Sequence, residues 1–327
     1  TSQGKQKGNS INIDDSQLPA EVNVKYYYPA SFLKPKMLPV EGNNGVAWHH
    51  TDATTTTTTA AIPDLNMSET PITQAQFEYV FPDRAAVTTI GYNQPSYNYF
   101  SCSTNTNYAP SSAKPADMIN WYDAIAYCNK LSAMEGKELC YAVSGVDDWL
   151  HLAYTSIPSE TEENWDAATC NFTKNGYRLP TSSEWEYAAR GGTANTSPVY
   201  SGSTYSDSGD DTEALDTVGW YNGNNIGNSG TVTYGTKAVK TKVANAFGLY
   251  DMSGNVCEWC WNWGNEEGGY PIATPTGDPV ASTGSSARVR RGGSWSNSAN
   301  LCRVSSRNIS GIPYIRNNSD GFRVVCK

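Results

Sequence analysis

The chain has 327 residues, a formal net charge of -9 and a sequence pI near 4.9. An acidic surface argues against nucleic acid or an anionic membrane as the main partner, and no apolar run reaches the length of a membrane span. Mean hydropathy is -0.54, yet 10 Trp, 21 Tyr and 7 Phe supply bulk for a core in a length that fits one large domain or two ordinary ones.

The opening TSQGKQKGNSINIDDSQ is polar and lacks the apolar core of a signal peptide. It reads either as a tether exposed after processing, with a lipid anchor before residue 1, or as a plain boundary. Residues 1–63 are expected to form a polar lead carrying one or two strands. The threonine run 54–59 favours extended structure but specifies no register. His49-His50 has no acid or thiol close by in sequence, so an exposed loop is expected rather than half of a metal site. Ordered structure resumes at residues 70–81, where TQAQFEYVF predicts a short helix.

The clearest predicted helix spans 121–134. Trp121, Ala124, Ile125, Cys128 and Leu131 fall on one face, Asp123, Asn129 and Lys130 off it, and Gly136 is a natural stop. Cys140-Tyr-Ala-Val and Ala168-Thr-Cys170-Asn-Phe read as short strands around an acidic insertion at 144–167. A second helix starts at Thr181, where Thr-Ser-Ser-Glu184 forms a capping box behind Pro180, and Gly191-Gly192 ends it. Residues 191–244, rich in Gly, Ser, Asn, Asp and Thr, are expected to be long surface loops. In residues 245–263, NAFGLYDMSGNVCEWCWNW, Gly254 and Asn255 mark a tight turn. Trp259, Trp261 and Trp263 then alternate as one face of a buried strand does. Few helices, short antiparallel strands and long loops give an α+β class.

Eight cysteines, an even count, fit an oxidising compartment. The only histidines are His49, His50 and His151, which counts against a multi-histidine metal centre or a histidine general base in the C-terminal half. Asp251 and Glu258 flank the 251–255 turn. With backbone carbonyls they are candidate hard oxygen ligands for calcium, or simply two solvated acids at a turn. Cys257-x-x-Cys260 has neither the helix N-terminus of a redox motif nor the second pair of a zinc knuckle. Positions three apart on a strand face opposite sides, so core packing is expected.

Four segments carry a family resemblance in one order: PADMINWYDAIAYCNKLS from Pro115, GYRLPTSSEWEYAARGG from Gly176, the 245–263 stretch, and VRRGGSW…CRVSSRN…GFRVV from Val289. A weaker match, SETPITQAQF from Ser68, precedes them. Together they resemble the formylglycine-generating enzyme family, the sulfatase-modifying factors, over residues 64–327. The resemblance implies a C-type-lectin-like α+β domain and a structural calcium bound by Asp251, Glu258 and the carbonyls of Gly254 and Val256. It also implies a disulfide between Cys128 and Cys326; Cys140–Cys170 is a second expected pair. Active members bind copper(I) between two cysteines after the Gly-Gly-Ser motif, because soft thiolates select that ion. Counted without gaps, the first falls on Asn297 and the second on Cys302; counted back from Arg303, the segment is shorter than the family pattern. Only one thiol lies in 292–318 either way, so copper is not expected. The iron site of the ergothioneine-type relatives needs a histidine-bearing helical domain that has no counterpart here.

The expected ligand groove is Trp295, Asn297, Cys302, Arg303 and Arg307. The reading is a non-catalytic, secreted or lipid-anchored binding component, extracytoplasmic, with a protein or glycan partner. The alternatives are an oxidase converting a sulfatase cysteine to formylglycine through an unrecognised thiol, and a lectin-like carbohydrate-binding module.

Overall fold

The strand foreseen from the alternating tryptophans is β7 (Cys257–Trp263), buried at all seven positions. The computed structural model describes residues 33–43, 48–50, 58–60, 62–86, 113–192, 199–203, 212–225, 234–264 and 286–327. Within them β7 sits in a four-stranded sheet of order β10-β7-β8-β9, with β8 at Arg288–Arg291, β9 at Arg307–Gly311 and β10 at Asp320–Gly321. β8 is antiparallel to both neighbours. β10 instead runs parallel to β7, with Asp320 opposite Cys257 and Gly321 opposite Glu258. The chain leaving β9 crosses to the other edge of the sheet through 312–319, and such a crossover is what parallel pairing requires.

β7 is covered on both faces, which is why charged and apolar positions along it are equally buried. On one face Trp259 and Trp261 join α1 (Gln74–Val80), α2 (Trp121–Met134) and Phe322 in the larger core. The Trp261 ring lies 5.1 Å from those of Trp121 and Tyr141. Two of the indole N–H groups find carbonyls there: Trp259 donates to Ile119 at 2.9 Å and Trp121 to Cys260 at 3.0 Å. On the other face Cys260 packs with Trp185, Ala188 and Ala189 in a second core. These three belong to α4 (Ser182–Arg190), named after the four-residue α3 (Glu163–Asp166).

Helix ends follow local chemistry. The Thr181/Glu184 capping box opens α4 and Gly191, in the left-handed region at φ 78°, closes it. A second box, Asn120/Asp123, opens α2, and Thr73/Gln76 opens α1. Asp123 and Asn129 are not on a solvated face. Both are fully buried, Asp123 gripping Arg316 through two 2.7 Å bonds and Asn129 exchanging hydrogen bonds of 2.8 and 3.0 Å with the Tyr141 backbone. The stretch 144–167 is likewise more than an acidic insertion, because Trp149, Tyr154, Ile157 and Trp165 enter the larger core.

A second sheet has the order β1-β4-β11, with β1 at Met37–Val40, β4 at Leu65–Ser68 and β11 at Val325–Cys326, both pairings antiparallel. A strand of the expected lead is therefore built into the domain ahead of residue 64. β2 (Trp48–His50) and β3 (Thr58–Ala60) pair antiparallel, with His49 opposite Thr59, so the two histidines lie in a strand instead of a loop. β5 (Tyr141–Ala142) and β6 (Thr169–Cys170) are the two short strands foreseen. Their register sets Cys170 opposite Tyr141 and leaves Cys140 out of step. The seven described cysteines all stand as thiols, and neither expected bridge is formed. The fold is α+β, and no helix among the described residues is long and apolar enough to cross a membrane.

Candidate binding face and the turn beneath it

Gly292 and Gly293 start the segment that follows β8, at φ 86° and 65°. A Cβ on Gly293 would stand 2.6 Å from the Leu301 carbonyl oxygen and 2.8 Å from Cys302 Sγ, so only glycine lets the 3-10 turn Ala299–Cys302 close against it. The segment is clipped to the 251–255 turn by two backbone bonds, Gly254 N–H to Gly292 O at 2.7 Å and Trp295 N–H to Asn255 O at 3.0 Å. The turn uses left-handed backbone at Asp251, Gly254 and Asn255, as its Gly and Asn foretold.

The five groove candidates divide by burial. Trp295 is only 5% exposed; its Nε1 donates to Asn318 O at 3.0 Å and its ring meets Tyr234 edge-on at 4.8 Å. It is a buried post, not an open wall. Cys302 is fully buried, its thiol donating weakly to Ser294 O at 3.9 Å. Asn297, Arg303 and Arg307 are partly exposed, Arg307 opening β9 opposite Arg291. Asn297 Oδ1 accepts from Ser294 Oγ at 2.8 Å and faces Cys257 Sγ at 3.5 Å. Strand parity separates Cys257 from Cys260 but does not say which of them meets residue 297, so sequence reasoning missed it. Burial pushes the Cys302 thiol up to about 12 and raises that of Cys257 as well, so both are protonated thiols at neutral pH.

Support for the face comes from a region expected to be surface loop. α5 (Thr212–Val218) lies there, and its Leu215 and Val218 pack with Ala299 and Cys302 in a third core. The i, i+3 spacing of Leu215 and Val218 is the signal that could have revealed it. Over this base the chain alternates anchors with outward side chains. Leu301, Ile309 and Ile312 are 45%, 51% and 41% exposed, among short polar residues such as Ser296, Asn300 and Asn308.

Both acidic calcium candidates already have hydrogen-bond partners. Glu258 is fully buried, and Arg323 grips both its oxygens at 2.6 and 2.8 Å while Trp185 Nε1 donates at 2.5 Å. Asp251 accepts from Lys240 N–H at 2.9 Å and Asn255 Nδ2 at 3.1 Å, and burial pushes its carboxyl up. Glu258, with a guanidinium on both oxygens and an indole N–H on one, does not fit a calcium ion. No group of three or more His, Cys, Asp or Glu among the described residues is arranged to hold a metal. With asparagine at 297 the residues also do not fit the family's copper pair.

The family model for the sulfatase-modifying factor enzyme 1-like domain matches residues 31–327. Chaperone protein LppX of Paenibacillus barcinonensis is 34% identical over 59% of this chain and 62% of its own length. The formylglycine-generating enzyme of Streptomyces coelicolor is 35% identical over 49% and 50%. The chain thus spans about half to three-fifths of the length of these curated relatives. Among solved structures, Treponema denticola variable protein 1 superposes with a TM-score of 0.67 at 34% identity, covering 89% of this chain and 94% of that one. With the match running from β1 to the last strand, the chain belongs to the sulfatase-modifying-factor, or formylglycine-generating enzyme, family, as a divergent member without the copper cysteine pair.

Proposed function

We propose that this chain is a non-catalytic binding component that presents residues 296–318 to a protein or glycan ligand outside the cytoplasm, as a secreted or surface-anchored protein. The observation that carries the reading is the pairing of Asn297, where active relatives place a copper cysteine, with outward Leu301, Ile309 and Ile312 on a buried frame. Exposed aliphatic side chains among short hydrogen-bonding ones make a surface suited to recognition. A relative named as a chaperone and a structural neighbour titled a variable protein support a role other than oxidation.

A second reading, an oxidase acting through an unrecognised thiol, is favoured by one observation: Cys257 Sγ lies 3.5 Å from Asn297 Oδ1, beside Cys302. The glycan alternative gains less, because Trp295 offers no free ring face for a sugar to stack on. The test uses arrays of glycans and of secreted and surface proteins, probed with the wild-type chain and with a Leu301→Asp/Ile309→Asp variant. Ligands bound by the wild type and lost by the variant, with melting unchanged within about 2 °C, are expected. Binding that ignores the double substitution would refute the assigned face.

A further inference from the structure

We propose that the 251–258 turn is held by the chain's own cation, Arg323, and by two loops that the Lys237 ammonium joins, and that the domain is built to stand without a divalent ion. Arg323 is fully buried, and what surrounds it is an oxygen shell. Its guanidinium donates to both Glu258 oxygens, to Ser68 O at 3.0 Å and to Tyr250 O at 2.8 Å. One bidentate carboxylate and two backbone carbonyls are the donor types a calcium ion takes, but here they point at a planar fork that matches them through directed N–H bonds. A metal bound to Glu258 would have to sit beside that guanidinium, with like charges in a dry interior.

The other side of the turn is closed by backbone. The backbone of 237–240 lies along it: Asn255 accepts from Lys237 N–H at 3.0 Å and donates to Lys237 O at 3.1 Å, while Lys240 N–H binds Asp251. The Lys237 ammonium then turns into a cradle made by Asn225 Oδ1 and Gly235 O, the latter at 2.6 Å, and lies 5.6 Å from the centre of the Trp220 ring. Trp220 is joined back to the turn, its carbonyl accepting from Asn255 N–H at 2.7 Å. A tethered ammonium thus ties the 220–225 and 234–240 loops to each other, and the Trp220 and Lys237 backbones join both to the turn that carries residues 292–297. Being covalently attached, it cannot be chelated. The corollary that ligand binding survives chelation rests on the binding role proposed above; the stability test does not.

The full chain is dialysed against a calcium chelator, then assayed for bound calcium by elemental mass spectrometry and melted with and without millimolar calcium chloride. No retained calcium and a melting temperature that moves by less than about 1 °C are expected. One equivalent of retained calcium, or a melting temperature that falls by several degrees in chelator and returns with calcium, would overturn the proposal. Lys237→Met is melted alongside and should lose several degrees at any calcium level. A Lys237→Met protein as stable as the wild type would remove Lys237 from the account. Arg323→Gln is expected to be severely destabilised or unable to fold, whereas wild-type stability in that variant would contradict the role given to its charge.

Discussion

The bond between Asp123 and Arg316 joins the most central helix to the segment that forms the binding face. Asp123 sits in the first turn of α2, fully buried, and does two things at once. Its carboxylate takes both arms of Arg316 at 2.7 Å and accepts the Asn120 N–H at 2.9 Å in the capping box. Asp123→Ala would leave the Arg316 guanidinium, only 5% exposed, without its counter-charge. Breaking one side of such a buried pair costs about 3–5 kcal/mol, and the lost cap adds to it by about 1 kcal/mol. At about 2–4 °C per kcal/mol for a chain of this size, melting should fall by roughly 8–24 °C. Denaturant unfolding with an unchanged slope would establish that the loss is in stability and not in compactness. Replacing both partners by apolar residues, Asp123→Leu with Arg316→Met, should cost less than Asp123→Ala alone, because the penalty arises from the orphaned charge. A loss below about 1 kcal/mol for Asp123→Ala, or a double variant whose cost equals the sum of the singles, would refute this reasoning.

Gly293→Ala combines a positive φ with a Cβ 2.6 Å from the Leu301 carbonyl, so it should destabilise by more than about 1 kcal/mol, read by chemical denaturation. Burial raises the Glu184 carboxyl, but the Arg178 fork, with two 2.7 Å bonds, and the Thr181 cap hold it below 4.5 overall. Its contribution is therefore full above pH 4.5 and lost as pH falls through the lower folded value, so Glu184→Gln should flatten the acid limb of a stability–pH curve. Cys257 and Cys302, buried and with raised thiol values, should resist alkylation at pH 8 in the native protein and react once it is unfolded. Fast labelling of the folded chain would show an accessible thiolate.

Both longer helices, the tryptophan strand and the 251–255 turn were legible because each rests on local chemistry: caps, apolar spacing and residues that accept positive φ. Long-range choices were not legible. Nothing within α2 indicates that Asp123 will meet a guanidinium 193 positions away, so a charge that periodicity assigns to solvent ends in the core. Glu258 is a similar case. Spacing showed an acid near a turn, while the partner that decides its chemistry, Arg323, arrives from the other end of the domain. The groove residues were found by their distance from Gly-Gly-Ser, which located the segment but not its burial. Trp295 and Cys302 turned inward, and Cys257 reached the same spot from β7. A strand in the lead was expected, but its place at Met37–Val40 beside β4 was not legible, because the register is set by β4 and not by its own composition.

The central claim is that this member of the family binds rather than oxidises. The direct measurement is incubation of the wild-type chain with reductant, copper, oxygen and a CxPxR-type sulfatase peptide. Mass spectrometry then follows loss of the peptide thiol and appearance of the aldehyde, with Cys257→Ala and Cys302→Ala chains in parallel. A single thiolate in 292–318 cannot complete a two-sulfur copper(I) site, so no aldehyde above the no-protein control is predicted for any of the three. Turnover by the wild type that either alanine substitution abolishes would contradict the account and make Cys257 and Cys302 the catalytic pair.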